Sequence, residues 1–275
     1  MRLFITGATG FVGSHVVLQA LYDHQIVASC RSFGRPKVQW PVSPTFVRHQ
    51  KLSQVTDDEL CGTDVLIHLA AHTANRPYDT LEECVVQNVL EPLKLFELAA
   101  RCGVKKFVVA GSYFEYGVAG ERVDRVSVDS VLEPTSTYGT SKAMATLAFQ
   151  QFARDAEAHV TILRLSQVYG PGEADARLWS SLCKAAKEGA DMDLTGGDQV
   201  RDFVDVAHVA STILHAAEEQ LHLPGAVIRN VGSGEPQTMR AFAEYWWHKL
   251  GAKGKLNFGA RPYPSNEIMR CVPLC

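Results

Sequence analysis

The chain has 275 residues, with 27 Lys and Arg against 30 Asp and Glu, a formal net charge of −3 and 46% hydrophobic residues. That balance excludes a disordered or low-complexity polymer, and the mild negative charge argues against a general binder of nucleic acid or anionic membrane. The length suits one large domain or two small ones with a self-sufficient core.

Short β-type runs alternate with longer helical patterns. Residues 2–6 (RLFIT) are an apolar, partly β-branched run ended by Gly7, and read as a buried strand. A helix is expected over 11–22, then strands over 26–30, 46–48 and 64–69. Residues 81–102 place Val85, Val89, Pro92, Phe96 and Ala99 on one helical face, with a distortion at Pro92, which has no N–H to donate. A strand at 106–110, a helix at 136–156 and a strand at 160–165 follow; Ala145, Phe149, Phe152 and Ala156 share a face of that helix. The alternation, with continuous apolar strands, predicts a doubly wound α/β fold with a parallel sheet covered on both faces. After residue 166, glycine and proline clusters separate helices near 175–188, 205–219 and 238–250, which predicts a smaller region built on loops.

Cysteines stand at 30, 61, 84, 102, 183, 271 and 275, without CxxC or CxC spacing. Scattered in this way they read as reduced intracellular thiols, and no metal site is expected. The N-terminal run MRLFITGATG meets glycine too soon to be the apolar core of a secretion signal or a membrane span. A cytoplasmic protein is expected.

The first strand runs directly into Thr6-Gly7-Ala8-Thr9-Gly10-Phe11-Val12-Gly13. Gly7 permits a tight turn, Gly10 lets the backbone approach a pyrophosphate, and Gly13 lets the next helix pack closely on the sheet. That helix would present free N–H groups and its positive dipole end to phosphates. A glycine triplet is weak evidence alone, and an ordinary glycine-rich turn is the plain alternative. The strand before it and the helix after it supply the context of a dinucleotide site. NAD sites usually carry an Asp or Glu at the end of the second strand for the ribose 2′-OH. Here residues 26–32 read IVASCRS, with no carboxylate, and Arg31 and Ser32 are placed to hold a 2′-phosphate. NADP is therefore favoured, with NAD the alternative; Arg31 taken alone reads equally as a solvated loop arginine.

Tyr138 and Lys142 lie four apart on the 136–156 helix and so share a face. An ammonium beside the phenol, together with an oxidised nicotinamide, would favour the phenolate and suit it to exchanging a proton with a sugar oxygen. A second pair with this spacing, Tyr245 and Lys249, sits among Trp246 and Trp247 and reads as packing. Ser112, directly after the fifth strand, would orient a substrate oxygen or simply cap a turn.

Together these stretches resemble the extended short-chain dehydrogenase/reductases, in particular the NAD-dependent epimerase/dehydratase family acting on nucleotide sugars. The resemblance rests on TGATGFVG at 6–13, HLAA at 68–71, Asn88 in QNV, GSYFEYG at 111–117, YGTSK at 138–142, LRLSQVYGPG at 163–172, RDFVDVAHVA at 201–210 and NVGSGEP at 230–236. It implies a Rossmann domain over 1–166 and a substrate-binding region over 167–275, with elements at about 200–230 returning to the sheet. It implies Ser112, Tyr138 and Lys142 as the catalytic set. Cofactor contacts would come from Gly7, Thr9, Gly10, Phe11, Val12, Gly13, Arg31, Ser32, Leu52, Leu69, Ala70, Ala71, Asn88, Tyr138 and Lys142. Ser112, Tyr113, Gln167, Arg201 and Arg261 would meet the substrate. Gln167 stands where the family usually has Asn, and Arg201 would grip a diphosphate oxygen unless it pairs with Asp202 or Asp205. The family pattern normally continues with an Asp-x-Ser/Thr-Lys segment and a Leu-Gly-Trp element; the last residues here are Val272-Pro273-Leu274-Cys275. Many relatives pair two subunits through the helices matching 81–102 and 136–156, so a homodimer is implied.

Subfamilies differ in the residues after Ser112. The 4,6-dehydratases carry an Asp-Glu pair where this chain has Tyr113 and Phe114, and Glu115, one place on, should point the other way in an extended segment. The Glu of the sugar-acid decarboxylases and the Cys of the combined epimerase-reductases are also missing at Phe114. What remains is simple 4-epimerisation or reduction of a 4-keto sugar; the preference for NADP, and the likeness of GSYFEYG to the deoxysugar 4-ketoreductases, favour reduction of a nucleotide-linked 4-keto-6-deoxyhexose with Tyr138 as proton donor. A 4-epimerase holding NAD is the alternative, and a non-catalytic NADP(H) sensor is a third reading from a different class.

Overall fold

A computed structural model describes residues 1–31, 35–220 and 223–275. The first half runs β1 (Arg2–Thr6), α1 (Phe11–Ala20), β2 (Gln25–Cys30), β3 (Thr45–Arg48), α2 (Asp57–Leu60), β4 (Val65–His68), α3 (Leu81–Val85), α4 (Glu91–Arg101), β5 (Lys106–Ser112), α5 (Thr137–Asp155) and β6 (His159–Leu165). The second runs β7 (Gln167–Tyr169), α6 (Leu178–Glu188), β8 (Met192–Leu194), β9 (Val200–Asp205), α7 (Val206–Glu218), β10 (Gly225–Val231), β11 (Pro236–Thr238), α8 (Met239–Lys249), β12 (Leu256–Phe258) and β13 (Arg270–Cys271). The predicted α/β class is the observed one. Seven parallel strands form one sheet in the order β10-β6-β5-β4-β1-β2-β3.

Alternating side chains explain why the strands are largely apolar. Leu3 and Ile5 of β1, Val65 and Ile67 of β4, and Leu163 of β6 face Val16, Val209 and Ile213 of α1 and α7. Phe4, Leu66 and Ile162 face the opposite side, against Phe96 of α4 and Phe149 and Phe152 of α5. Both faces are buried, so the central strands are mostly apolar, and the polar groups they do carry, such as Thr6, His68 and Arg164, are held by hydrogen bonds inside the protein. Strand order reverses between β1 and β4, and the crevice beyond their carboxyl ends is where this architecture binds ligands.

The distortion expected at Pro92 is a π-helical turn, Val86–Leu90, between α3 and α4. Without a Pro92 N–H the ladder loses one bond, and the Glu91 N–H reaches back five residues to the Val86 carbonyl. A second, smaller assembly uses short strands: β9 pairs with β7, β11 and β13, and β8 pairs with β12. Leu182, Phe203, Phe242 and Ala243 form its core. Among the described residues no helix is long and apolar enough to cross a membrane.

Candidate active site

The first glycine turn lies at the β1/β4 crevice. Gly7 has φ +68°, and a Cβ on it would stand 2.6 Å from the Ala70 nitrogen. A Cβ on Gly13 would stand 2.1 Å from the Gly7 carbonyl oxygen. α1 can therefore approach the sheet this closely only with glycine at both places. Gly10 precedes α1 and no side chain caps the helix, so its first N–H groups are left to an anion. Thr6 ties the two strand ends together: its hydroxyl oxygen accepts from Leu69 N at 3.2 Å and Ala70 N at 3.3 Å and bonds His68 Nδ1 at 2.8 Å. His72 Nε2 bonds Asp79 Oδ2 at 3.0 Å.

A cavity of about 610 Å³ opens over this turn. It is lined by the predicted Gly7, Thr9, Gly10, Phe11, Val12, Gly13, Arg31, Leu52, Leu69, Ala70 and Ala71, and at its other end by Ser112, Tyr138 and Lys142. A dinucleotide fits such a cradle: side chains at Gly7 or Gly13 would fill it, and the described lining holds Arg31, Lys37, Lys142 and Arg177 but no Asp or Glu.

Ser136 starts α5 by accepting the Gly139 N–H at 3.0 Å, which sets Tyr138 in the first turn. The Tyr138 ring stacks on Tyr78 at 6.0 Å and meets the edge of Phe114 at 6.0 Å. Burial pushes its phenol well above the ordinary tyrosine range; the Ser112 side chain draws it back and the Glu115 charge raises it further. Lys142 donates to the Ala110 carbonyl, and burial lowers its pKa against the opposing pull of Glu115. The expectation joins Lys142 with an oxidised nicotinamide; among the chain's own groups, burial outweighs any pull toward the phenolate. The Lys142 ammonium is tied to β5, and desolvation of the phenol dominates. The result is a neutral phenol, fit to donate a proton. Ser112 does cap a turn, its oxygen accepting the Phe114 N–H at 3.2 Å, and it also faces the cavity.

A second cavity of about 430 Å³ shares Tyr113 and Phe114 with the first and is lined by Gln167, Arg201, Arg76 and Glu267. The Tyr113 hydroxyl donates to Gln167 Oε1 at 2.8 Å. Arg201, 7% exposed, donates to the Val200 carbonyl at 2.9 Å and to the Ile268 carbonyl, and pairs with Glu267 at 3.3 Å. Its partner is neither Asp202 nor Asp205. Asp202 points to the other face of β9 and accepts from Ser233 N at 2.7 Å and Gly234 N at 2.9 Å, while Asp205 caps α7 through Ala207 N at 2.7 Å.

Two sequence expectations are not met in place. Asn88 lines neither cavity; from the π turn it accepts His72 N at 2.7 Å and donates to Ser141 Oγ at 3.0 Å, so it braces the loop and α5 from behind. Arg261 is exposed after β12, its backbone N–H held by the Leu194 carbonyl at 3.1 Å, and it lines neither cavity. Ser32 falls outside the described residues. The duplicate Tyr245 and Lys249 also line neither cavity, with Tyr245 56% exposed. Arg177, which sequence reasoning passed over, lines the first cavity, with Nε on Glu173 at 2.8 Å and Nη1 on Asn75 at 3.2 Å. No motif marks it, because a loop carries it in from eight residues beyond Tyr169.

The glycine cradle, the Ser112–Tyr138–Lys142 set and the strand order have a counterpart among known proteins. A model of the NAD dependent epimerase/dehydratase family matches residues 3–232. This chain belongs to that family. It is an enzyme of the extended short-chain dehydrogenase/reductase type, in the family that acts on nucleotide sugars. The dTDP-6-deoxy-L-talose 4-dehydrogenase (NAD(+)) of Aggregatibacter actinomycetemcomitans is 27% identical over 276 residues, covering 98% of each chain. The CDP-abequose synthase of Salmonella typhimurium is 26% identical over 283 residues, covering 98% of this chain and 88% of that one. MoeE5 in complex with UDP-glucuronic acid and NAD superposes with a TM-score of 0.85 at 28% identity, over 99% of this chain and 89% of that one.

Proposed function

We propose that this member of the epimerase/dehydratase family reduces the 4-keto group of a nucleotide-linked 4-keto-6-deoxyhexose, with NADPH preferred over NADH and Tyr138 as proton donor. The observation that carries the reading is the buried Tyr138 beside Ser112, in a cavity whose described lining contains no carboxylate. Loss of water from a sugar ring needs an acid and a base in reach. The one carboxylate after Ser112, Glu115, is fully buried on Arg164 behind the turn. Reduction of a ketone needs one hydride and one proton. The relatives named for a 6-deoxytalose 4-dehydrogenase and an abequose synthase support this choice.

When bound, the dinucleotide supplies the hydride. The Gly7–Gly13 turn and the start of α1 hold its phosphates. Arg31 and Lys37 offer positive charge to a 2′-phosphate. Lys142, fixed to Ala110, holds the nicotinamide ribose, and the Ser112 hydroxyl orients the ketone oxygen that takes the Tyr138 proton. Gln167 and Arg201 hold the sugar's diphosphate, with Tyr113 between the two cavities. The reading includes a cytoplasmic setting, which suits seven unbridged thiols, and a homodimer over the outer side of α3 to α5, where Leu81, Leu90, Met144 and Leu147 are exposed.

A 4-epimerase with tightly held NAD is the second reading, favoured by the likeness to MoeE5 with UDP-glucuronic acid and NAD. Two assays separate them. NADPH oxidation that depends on a nucleotide-linked 4-keto-6-deoxyhexose supports the reductase. Interconversion of UDP-sugars without added cofactor supports the epimerase, and tight NADPH binding with no turnover across both panels leaves a sensor.

A further inference from the structure

Directly behind the site lies a buried ion pair that the proton transfer does not consume. Glu115 ends the short turn after β5 and is 0% exposed; Arg164 on β6 is 2% exposed. Glu115 Oε1 accepts the Ser112 N–H at 2.8 Å. Its Oε2 accepts from the Thr146 hydroxyl and from Arg164 Nε, both at 2.8 Å. Arg164 Nη1 then donates to the Tyr116 hydroxyl and the Val128 carbonyl, both at 3.0 Å. One carboxylate therefore joins β5, which carries Ser112, to α5, which carries Tyr138 and Lys142, and to β6. Gly111 leaves the room for it, since a Cβ there would come 2.9 Å from Oε1. An apolar pair of similar volume often packs as stably as a buried ion pair, so fold stability alone does not account for these charges beside Ser112.

We propose that Glu115 is a positioning residue, whose carboxylate holds the Ser112 hydroxyl and α5 in register so that Ser112 and Tyr138 meet the same substrate oxygen. The inference rests on the roles given to Ser112 and Tyr138 above. The groups that face Tyr138 are Ser112 from β5, Tyr78 from the loop before α3, Arg177 from the segment before α6, and Glu115 itself; Lys142 lies one turn along α5, with His68 of β4 facing it. The Glu115 charge raises both the phenol and the ammonium, so it helps to keep the donor protonated.

Two double variants separate positioning from packing. Glu115→Leu with Arg164→Met removes the charges and the acceptor; Glu115→Gln with Arg164→Met restores the acceptor for the Ser112 N–H. The expected result is cooperative melting and wild-type NADPH binding in both. The Leu variant should lose roughly 10- to 100-fold in kcat with an unchanged KM for NADPH, and the Gln variant should regain most of it. A folded Leu variant with wild-type kcat overturns the proposal. A second readout needs no turnover, so failure of the proposed reaction is distinguishable from failure of this inference. Amide hydrogen exchange at Ser112 and in the first turn of α5 should be faster in the Leu double variant than in the wild type and slow again in the Gln one. Exchange in the Leu variant equal to that of the wild type, or failure of both double variants to fold, assigns Glu115 to the core alone and overturns the proposal.

Discussion

Where β2 ends, Cys30 lies opposite Arg48 of β3 and the chain passes into Arg31 with no carboxylate in the described lining. A charge-assisted contact from Arg31 to a 2′-phosphate should count for roughly 10- to 100-fold in affinity. Arg31→Asp should therefore lower the ratio of kcat/KM for NADPH over NADH by about that factor, because it removes the cation and offers the 2′-OH an acceptor. An unchanged ratio would show that Arg31 is a solvated arginine. At this scale the sequence was most readable where a backbone motif fixes the side chain's direction. The glycines, Ser112, Tyr138 and Lys142 follow strand ends or a helix start, so their spacing already sets which way they face. Asn88 and Arg261 were misplaced for the opposite reason. The direction of Asn88 depends on a π turn, and that of Arg261 on a turn pinned to Leu194, and neither is encoded in local periodicity.

Among elements, the contact of α1 with the sheet is the tightest constraint on the cofactor cradle. Gly13→Ala would place a methyl group 2.1 Å from the Gly7 oxygen, so α1 must move outward. The expected cost is about 1–3 kcal/mol in stability, with weaker NADPH binding because the N–H groups of α1 retreat from the phosphates. Thermal melting with and without NADPH measures both, and an unaltered melt with unaltered ligand shift would contradict the cradle. The long strands and helices were legible because burial on both sheet faces writes a continuous signal. β7, β8, β11 and β12 are three residues each and β13 is two, too short for alternation to show, and their pairing with β9 or with one another is decided by the loops between them.

The whole molecule brings its two cavities together at Tyr113 and Phe114, with Tyr138 lining the first. Its pH response follows from what the sheet buries. Burial, helped by the Lys142 charge, pulls His68 from its ordinary 6.5 to about 3. Between those values the unfolded chain binds more protons than the folded one, so stability falls as pH drops through 6.5 toward 3. This group alone contributes up to about 1.4 kcal/mol per pH unit in that window and no slope above it. Urea unfolding of wild type and His68→Gln across the window should give a shallower acid slope in the variant, and equal slopes would contradict the assignment. The central claim is that a neutral phenol hands its proton to a sugar ketone as hydride arrives. The most direct measurement is NADPH oxidation by Tyr138→Phe with a nucleotide-linked 4-keto-6-deoxyhexose, alongside NADPH binding. A loss of roughly 100- to 10,000-fold in kcat with binding retained is the predicted result; turnover at the wild-type rate would contradict it.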